Sequence, residues 1–331
     1  MAPGAATGDG TVGLIVNPAA GKDIRRLVAR GRFVADDEKI NIVTRILAGL
    51  SAAGVTKVLA MPDSLQITSV AASKGPDDIE VEFLETQSIG KESDSTQAAS
   101  VMIERGASCI VTLGGDGTNR AVAFAGVDVP LVPVSTGTNN VFPVLVEGTT
   151  AGLAAGVVAT GAVDAAAVST LRPMLEVHVD GTRRDLALID VAISKQPYLG
   201  ARAIWDVDQI EELFVSGVYP TSIGMASIAA SLPLAVPEGL HVRLGPGGIA
   251  VSAPVTPGMF STVPVAEWSP LPFDEPKTVS LSSGTIAVDG ERSVVIHANQ
   301  SAEITLVRDG PRVVSIDRAL VAASRAGVFV R

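Results

Sequence analysis

Eight consecutive residues, Thr112-Leu113-Gly114-Gly115-Asp116-Gly117-Thr118-Asn119, combine two things that handling a phosphate requires. Gly114, Gly115 and Gly117 lack Cβ atoms, so a phosphate can approach the backbone and meet N–H groups directed at it. Asp116 adds a carboxylate. Beside a phosphate it is repelled unless it holds a metal ion or takes a proton from a nucleophile, and phosphoryl transfer uses both. The same string also suits a glycine-rich turn whose Asp caps the next helix. Spacing alone leaves both readings open.

Other polar loops follow the same logic. Ser135-Thr136-Gly137-Thr138-Asn139-Asn140 supplies hydroxyls, one glycine and two amides, groups that suit phosphate or ribose. Thr138 or Asn139 would orient a nucleotide there. Asn17-Pro18-Ala19-Ala20-Gly21 reads first as an Asn-Pro turn. Asp289-Gly290-Glu291 lies between two apolar runs and reads first as a hairpin turn.

These loops need elements to hold them. Apolar runs at 12–16, 55–61, 81–85, 108–111 and 131–134 read as strands. Helical patterns fill the gaps at 36–53, 64–72 and 95–105, and another begins at Ala121. In the first, Ile40, Val43, Ile46, Leu47 and Leu50 share one face and Gly54 stops it. Such alternation predicts a parallel sheet with ligands at the C-terminal ends of its strands. A helix over 148–159 leads onward. From Met174 the pattern changes to hairpins, with 177–179 and 186–193 flanking Asp180-Gly181 and short strands punctuated by Pro and Gly from 231 to 283. Runs at 278–281, 285–288, 294–297 and 304–307 continue the β character, and 317–326 reads as a closing helix. The expected fold is an α/β N-terminal domain over 11–145 and a mostly β domain over 146–310.

Composition narrows the partners. The 331 residues carry a net charge of −10 and no Lys/Arg cluster, which argues against nucleic acid. Cys109 is the one cysteine, so no disulfide forms within the chain. No apolar run reaches membrane-spanning length, and the first ten residues lack the order of a signal peptide. A soluble, cytoplasmic protein is the expectation. His178, His241 and His297 have no partner at metal-ligand spacing and read as structural, as do Trp205 and Trp268.

Gly-Gly-Asp-Gly-Thr after a strand resembles the signature of the NAD kinase and diacylglycerol kinase superfamily. The Asn17–Gly21 turn, the Ser135–Asn140 loop and Asp289-Gly290-Glu291 match its further motifs in order. The insert after Gly21 and the string Ser135 to Pro143 resemble most the acetoin catabolism protein X subgroup, often grouped with ATP–NAD kinases. The resemblance implies an NAD kinase-like parallel sheet, with residues 311–331 returning to the first domain. It implies a kinase that uses ATP and Mg²⁺ to phosphorylate a hydroxyl of NAD or a related small molecule. A lipid or metabolite kinase of the diacylglycerol kinase type is the alternative, as is a nucleotide-binding accessory protein without turnover. Asp116 would be catalytic, and Glu291 is a second candidate. Asn17, Gly114, Gly115, Gly117, Thr118, Asn119, Thr136, Gly137, Thr138, Asn139 and Asp190 would bind the nucleotide. Mg²⁺ would bind through Asp116, and no other metal ligand is implied. A homodimer or higher oligomer is implied as well. Two NAD kinase features are altered. Ala187-Leu188-Ile189-Asp190 replaces an Asn-Glu pair, and the stretch Pro220 to Ser227 lacks a stacking Tyr.

Overall fold

The first strand, β1 (Thr11–Val16), is buried along its whole length, as a strand covered on both faces must be. The computed structural model describes residues 10–21, 30–31, 33–86, 89–126, 128–137, 140–196, 206–233, 239–280 and 283–330, without the side chains of Arg292 and Ser293. Thr138, Asn139 and Trp205 lie outside the described residues. After β1 come α1 (Asp36–Ala52), β2 (Lys57–Ala60), α2 (Ile67–Ser73), β3 (Glu80–Phe83), α3 (Glu92–Glu104), β4 (Cys109–Gly114), α4 (Asp116–Phe124) and β5 (Leu131–Ser135). Next are α5 (Gly148–Ala159), α6 (Ala165–Val168), β6 (Ser169–Leu171), β7 (Met174–Val179), β8 (Thr182–Ala187), β9 (Asp190–Ser194), β10 (Ile210–Val215) and α7 (Ala226–Ala230). The chain closes with β11 (Leu240–Thr256), β12 (Met259–Pro270), β13 (Lys277–Thr278), β14 (Gly284–Val288), β15 (Glu291–Ile296), β16 (Ala302–Val307), β17 (Arg312–Val314) and α8 (Ile316–Arg325).

Seven strands form the first sheet in the order β3-β2-β1-β4-β5-β17-β6. Its pairings are parallel except for β17 with β6. Successive strands wind outward one way from β1 and the other way from β4. That reversal opens a crevice beyond the carboxyl ends of β1 and β4, where open α/β sheets bind ligands. The remaining strands form two antiparallel sheets, β12-β11-β10-β9-β14-β15 and β13-β16-β7-β8. Leu175, Val191, Phe214, Ile286 and Leu306 pack in a core between these two sheets.

The expected boundary at 145 falls before α5, yet α5 packs on α1 and shares the first core. Residues 312–325 join the same body, since β17 pairs with β5 and β6 while Ala319 and Ala323 of α8 enter that core. The short strands expected from 231 to 283 are instead mainly two long ones. β11 runs for 17 residues and β12 for 12. A register shift between Leu244 and Ile249 absorbs Gly245-Pro246-Gly247-Gly248, so glycines that looked like breaks act as a bulge. The strand expected over 186–193 is two strands in different sheets, β8 and β9, with Leu188 and Ile189 as the crossing point.

Glycines set the spacing of α1 and α5. A Cβ on Gly152 would lie 2.1 Å from the Ile46 carbonyl oxygen, and one on Gly49 would lie 2.2 Å from the Thr149 carbonyl oxygen. Gly148 and Gly156 continue the stripe, so the two backbones touch without side chains between them. Gly152→Ala should therefore lower stability by about 1–3 kcal/mol through overpacking, although alanine gains up to about 1 kcal/mol in helix propensity. Urea unfolding followed by circular dichroism measures the sign.

Candidate active site

The glycine loop and the Asn17 turn meet at the point where the sheet reverses. Asn17 Nδ2 donates to Thr118 Oγ1 at 2.8 Å, tying the end of β1 to the first turn of α4. Its Oδ1 accepts from the Ala19 N–H, and the Asn17 N–H donates to the Leu113 carbonyl. Lys39 is wholly enclosed, and its Nζ donates to the Pro18 carbonyl at 2.5 Å. The turn is thus fixed from both sides by side chains far away in sequence.

The glycines do not all serve the purpose expected of them. A Cβ on Gly114 would sit 2.5 Å from Thr118 Oγ1, so its missing side chain makes room for Thr118. A Cβ on Gly115 would fall 2.9 Å from Asn140 Oδ1, and one on Gly137 would fall 3.2 Å from Asn140 Nδ2. Gly117 alone of the three in the signature faces open space, apart from Glu92 Oε1 at 3.4 Å. Asn119, expected at the nucleotide, is fully buried. Its Oδ1 accepts from Thr112 Oγ1 at 2.7 Å and its Nδ2 donates to the Gly115 carbonyl at 2.9 Å. It shapes the loop from behind. Thr118 and Thr136 are also buried, and no hydrogen bond from the described residues reaches the Thr136 hydroxyl. Ser135 Oγ and Asn140 Nδ2, 2.8 Å apart, brace the second loop.

Asp116 begins α4 and is half-buried. Its Oδ1 accepts the N–H groups of Val141 at 3.1 Å and Phe142 at 2.8 Å, where the chain leaves the second loop. Residues 116, 120 and 124 lie four apart and therefore on one face of α4. That face is the seam between the two halves of the molecule. Arg120 donates to Asp185 of β8 at 2.8 Å and, through its other terminal nitrogen, to Glu92 of α3 at 2.7 Å. Arg183 of β8 lies over the Phe124 ring. Burial works against the Arg120 charge, but Asp185, Glu92 and Asp289 hold it above its ordinary range.

A shallow crevice opens at the head of this seam. Asp116 and Val141 form one wall. Ile189, Asp190, Ile223, Gly224 and Met225 face them, with Val255, Asp289 and Gly290 completing the lining. Asp289 and Gly290 both have positive φ, 48° and 79°, the geometry of a tight hairpin turn. The Asp289 carboxylate accepts N–H groups from Leu188, Ile189 and Asp190, the shortest at 2.8 Å from Ile189. Those are the donors left without a ladder where the chain crosses from one sheet to the other. Burial pushes this carboxyl up to about 6, against the opposing pull of Arg120 and the three N–H groups. Glu291, expected as a second catalytic group, starts β15 and is not among the crevice residues; the acid of that motif that reaches the crevice is Asp289.

Sequence patterns had left Asp289 as a turn residue and had passed over Arg120. The signal for Arg120 is its spacing, four residues after Asp116 and so on the same face of α4. Among the described residues, no group of three or more His, Cys, Asp or Glu is arranged to hold a metal ion. Cys109 is buried, which pushes its thiol up to about 12, as a core residue requires. His241 is buried against Glu212 at 2.8 Å and stacks on Phe214, consistent with a structural role.

Residues 12–163 match the ATP-NAD kinase N-terminal domain family, and residues 173–309 match the acetoin catabolism protein X C-terminal domain family. Acetoin catabolism protein X of Cupriavidus necator is 38% identical over 312 residues, 89% of this chain and 87% of its own. The chain belongs to the acetoin catabolism protein X family. Among solved structures, a putative diacylglycerol kinase from Bacillus anthracis aligns with a TM-score of 0.45 at 15% identity, covering 92% of this chain and 97% of its own. An NAD kinase from Archaeoglobus fulgidus in complex with ATP aligns with a TM-score of 0.40 at 13% identity, covering 82% and 99%. Family membership rests on the sequence matches. They agree with the architecture, a parallel N-terminal sheet followed by antiparallel strands. No described helix is long and apolar enough to cross a membrane.

Two predictions follow from the seam. Arg120→Met leaves Asp185 buried without its cation and should cost about 3–5 kcal/mol, and adding Asp185→Leu should restore much of it. Denaturant unfolding of the single and double variants measures both. For Asp289, the folded pKa of about 6 lies above the ordinary 3.8. The folded state therefore holds the proton more tightly, and this contribution is present in full below about pH 4 and lost as pH rises through about 6. Across that range the wild type should lose more stability than Asp289→Asn, by up to about 3 kcal/mol in unfolding free energy.

Proposed function

We propose that this protein is an ATP-dependent kinase of the NAD kinase-like class, which phosphorylates a hydroxyl of NAD or a related small molecule. The observation that carries the reading is Asp116. Its carboxylate is held by two backbone N–H groups at the mouth of a crevice between the two halves of the chain. The nucleotide would lie along Asn17, Gly115, Gly117 and the 135–140 loop, with its phosphates toward the N-terminus of α4. Asp190 would stand on the acceptor side.

In the reaction the acceptor O–H gives its proton to the Asp116 carboxylate while its oxygen attacks the γ-phosphorus. The bond from that phosphorus to the β–γ bridging oxygen breaks, and ADP leaves with the electron pair. The side chains present fit Mg²⁺ carried on the nucleotide, because Mg²⁺ commonly takes one carboxylate and completes its shell with phosphates and water. Asp116 would be that carboxylate where it holds the metal instead of taking the proton. The ion would supply charge neutralisation on the β- and γ-phosphates. Residues from both halves would hold Asp116 and the acceptor within one crevice, and such positioning is the main part of phosphoryl transfer. Cytoplasmic location and self-association into a dimer or larger assembly belong to the same reading.

Asp116→Asn tests the assignment. It keeps the size of the side chain and one acceptor oxygen for the Val141 and Phe142 N–H groups. ADP release in the presence of acceptor should fall at least about 10²-fold, the lower end of what a general base contributes, with the melting temperature nearly unchanged. Full turnover by this variant would remove Asp116 from the chemistry.

A further inference from the structure

The crevice itself selects among acceptors. Three of its ten lining residues are aspartates, Asp116, Asp190 and Asp289, and the rest are aliphatic residues, Met225 or glycine. No Lys, Arg or His is among the described residues that line it. The nearest buried cation, Arg120, already has both terminal nitrogens committed to Asp185 and Glu92. Two of the carboxylates cannot swing away, because Val141 and Phe142 fix Asp116 and the 188–190 backbone fixes Asp289. The apolar lining of the crevice is Val141, Ile189, Ile223, Met225 and Val255.

An anionic group held about 5 Å from one ionised carboxylate is weakened by about two orders of magnitude at an effective dielectric of about 20. Ionised carboxylates are pure acceptors, and hydroxyls are the donors that satisfy them. We propose that the acceptor is an uncharged molecule with at least two hydroxyls and a short aliphatic part, rather than a dinucleotide, a sugar phosphate or a long-chain lipid. One hydroxyl faces Asp116 and is phosphorylated. A second donates to the Asp190–Asp289 side and fixes its orientation, while the aliphatic part rests on Ile223 and Met225. The inference rests on the kinase reading above and, of the acceptors named there, keeps the related small molecules and sets NAD itself aside.

The test uses the full chain with ATP and Mg²⁺ against four sets of acceptors. They are short diols, triols and neutral sugars; amino alcohols; NAD and sugar phosphates; and diacylglycerol in mixed micelles. ADP release and mass detection of the phosphorylated product give kcat/KM for each. Neutral polyols should exceed every anionic acceptor by at least tenfold, and Asp190→Asn should narrow that ratio at least tenfold by favouring the anions. Preference for NAD, a sugar phosphate or diacylglycerol overturns the inference while leaving the kinase reading intact, as does a ratio that Asp190→Asn fails to move. If no acceptor releases ADP, the kinase reading fails. Calorimetric binding of the same panel, with a non-hydrolysable ATP analogue present, then decides the inference alone. Tighter binding of neutral polyols supports it, and equal or tighter binding of anions, or no binding of polyols, sinks it.

Discussion

One ion pair makes the two halves of this chain a single machine. Arg120 projects from α4 and reaches Asp185 on β8 at 2.8 Å, with both side chains largely withdrawn from water. A buried pair of this kind contributes little net stability, since desolvation offsets most of the attraction. It is intolerant of separation, however, because parting the halves would strand two charges in a poor solvent. The same helix begins with Asp116, one turn earlier. Whatever fixes Arg120 against β8 therefore also fixes where the Asp116 carboxylate points. The fork geometry of the guanidinium makes this possible, since one terminal nitrogen serves Asp185 while the other serves Glu92.

The rest of the N-terminal half supports that helix. Close packing of α1 on α5 brings backbone against backbone through Gly49, Gly148, Gly152 and Gly156, covering one face of the sheet tightly. The N-terminal end of α1 carries Lys39, whose Nζ holds the Pro18 carbonyl of the turn after β1. The turn in turn supplies Asn17, which bonds Thr118 on α4. A continuous path of contacts therefore leads from the glycine stripe to the loop that faces the crevice. Residues that never meet a ligand decide the geometry of those that would.

Much of this was legible in the order of residues, and the failures have physical causes. The helix expected over 148–159 is the one observed, Gly148–Ala159. Strand–glycine–helix at 108–125 stands in outline, but the helix expected from Ala121 already begins at Asp116, so Gly117, Thr118 and Asn119 lie in its first turn rather than in a loop. What could not be read were contacts between distant positions. Thr112 and Asn119 are seven residues apart and face each other only after β4 has turned into α4, so the amide looked available when it is fully enclosed. The apolar run 186–193 has no internal mark of its division between two sheets. The mark is Asp289, a hundred residues on. Strands β11 and β12 were obscured because local turn residues, Gly245 to Gly248, are tolerated inside a long pair as a bulge.

Asp289 shows why a turn motif can carry a second meaning. Asp-Gly with both φ positive needs no function to explain it, since this is the geometry of a two-residue hairpin turn. Here the hairpin from β14 to β15 places its Asp against the crossing from β8 to β9, where three successive N–H groups lack strand partners. The carboxylate supplies all three and also lines the crevice. The strand crossing requires an acceptor at that spot, and a neutral one would serve it. Choosing a carboxylate instead places a charge in the lining of the crevice, which raises the cost of any anion that enters. On the proposed reading, selectivity against charged acceptors would come from the same group that keeps the fold continuous across its two β sheets, so the position would be constrained twice, by backbone satisfaction and by the chemistry of the space it faces.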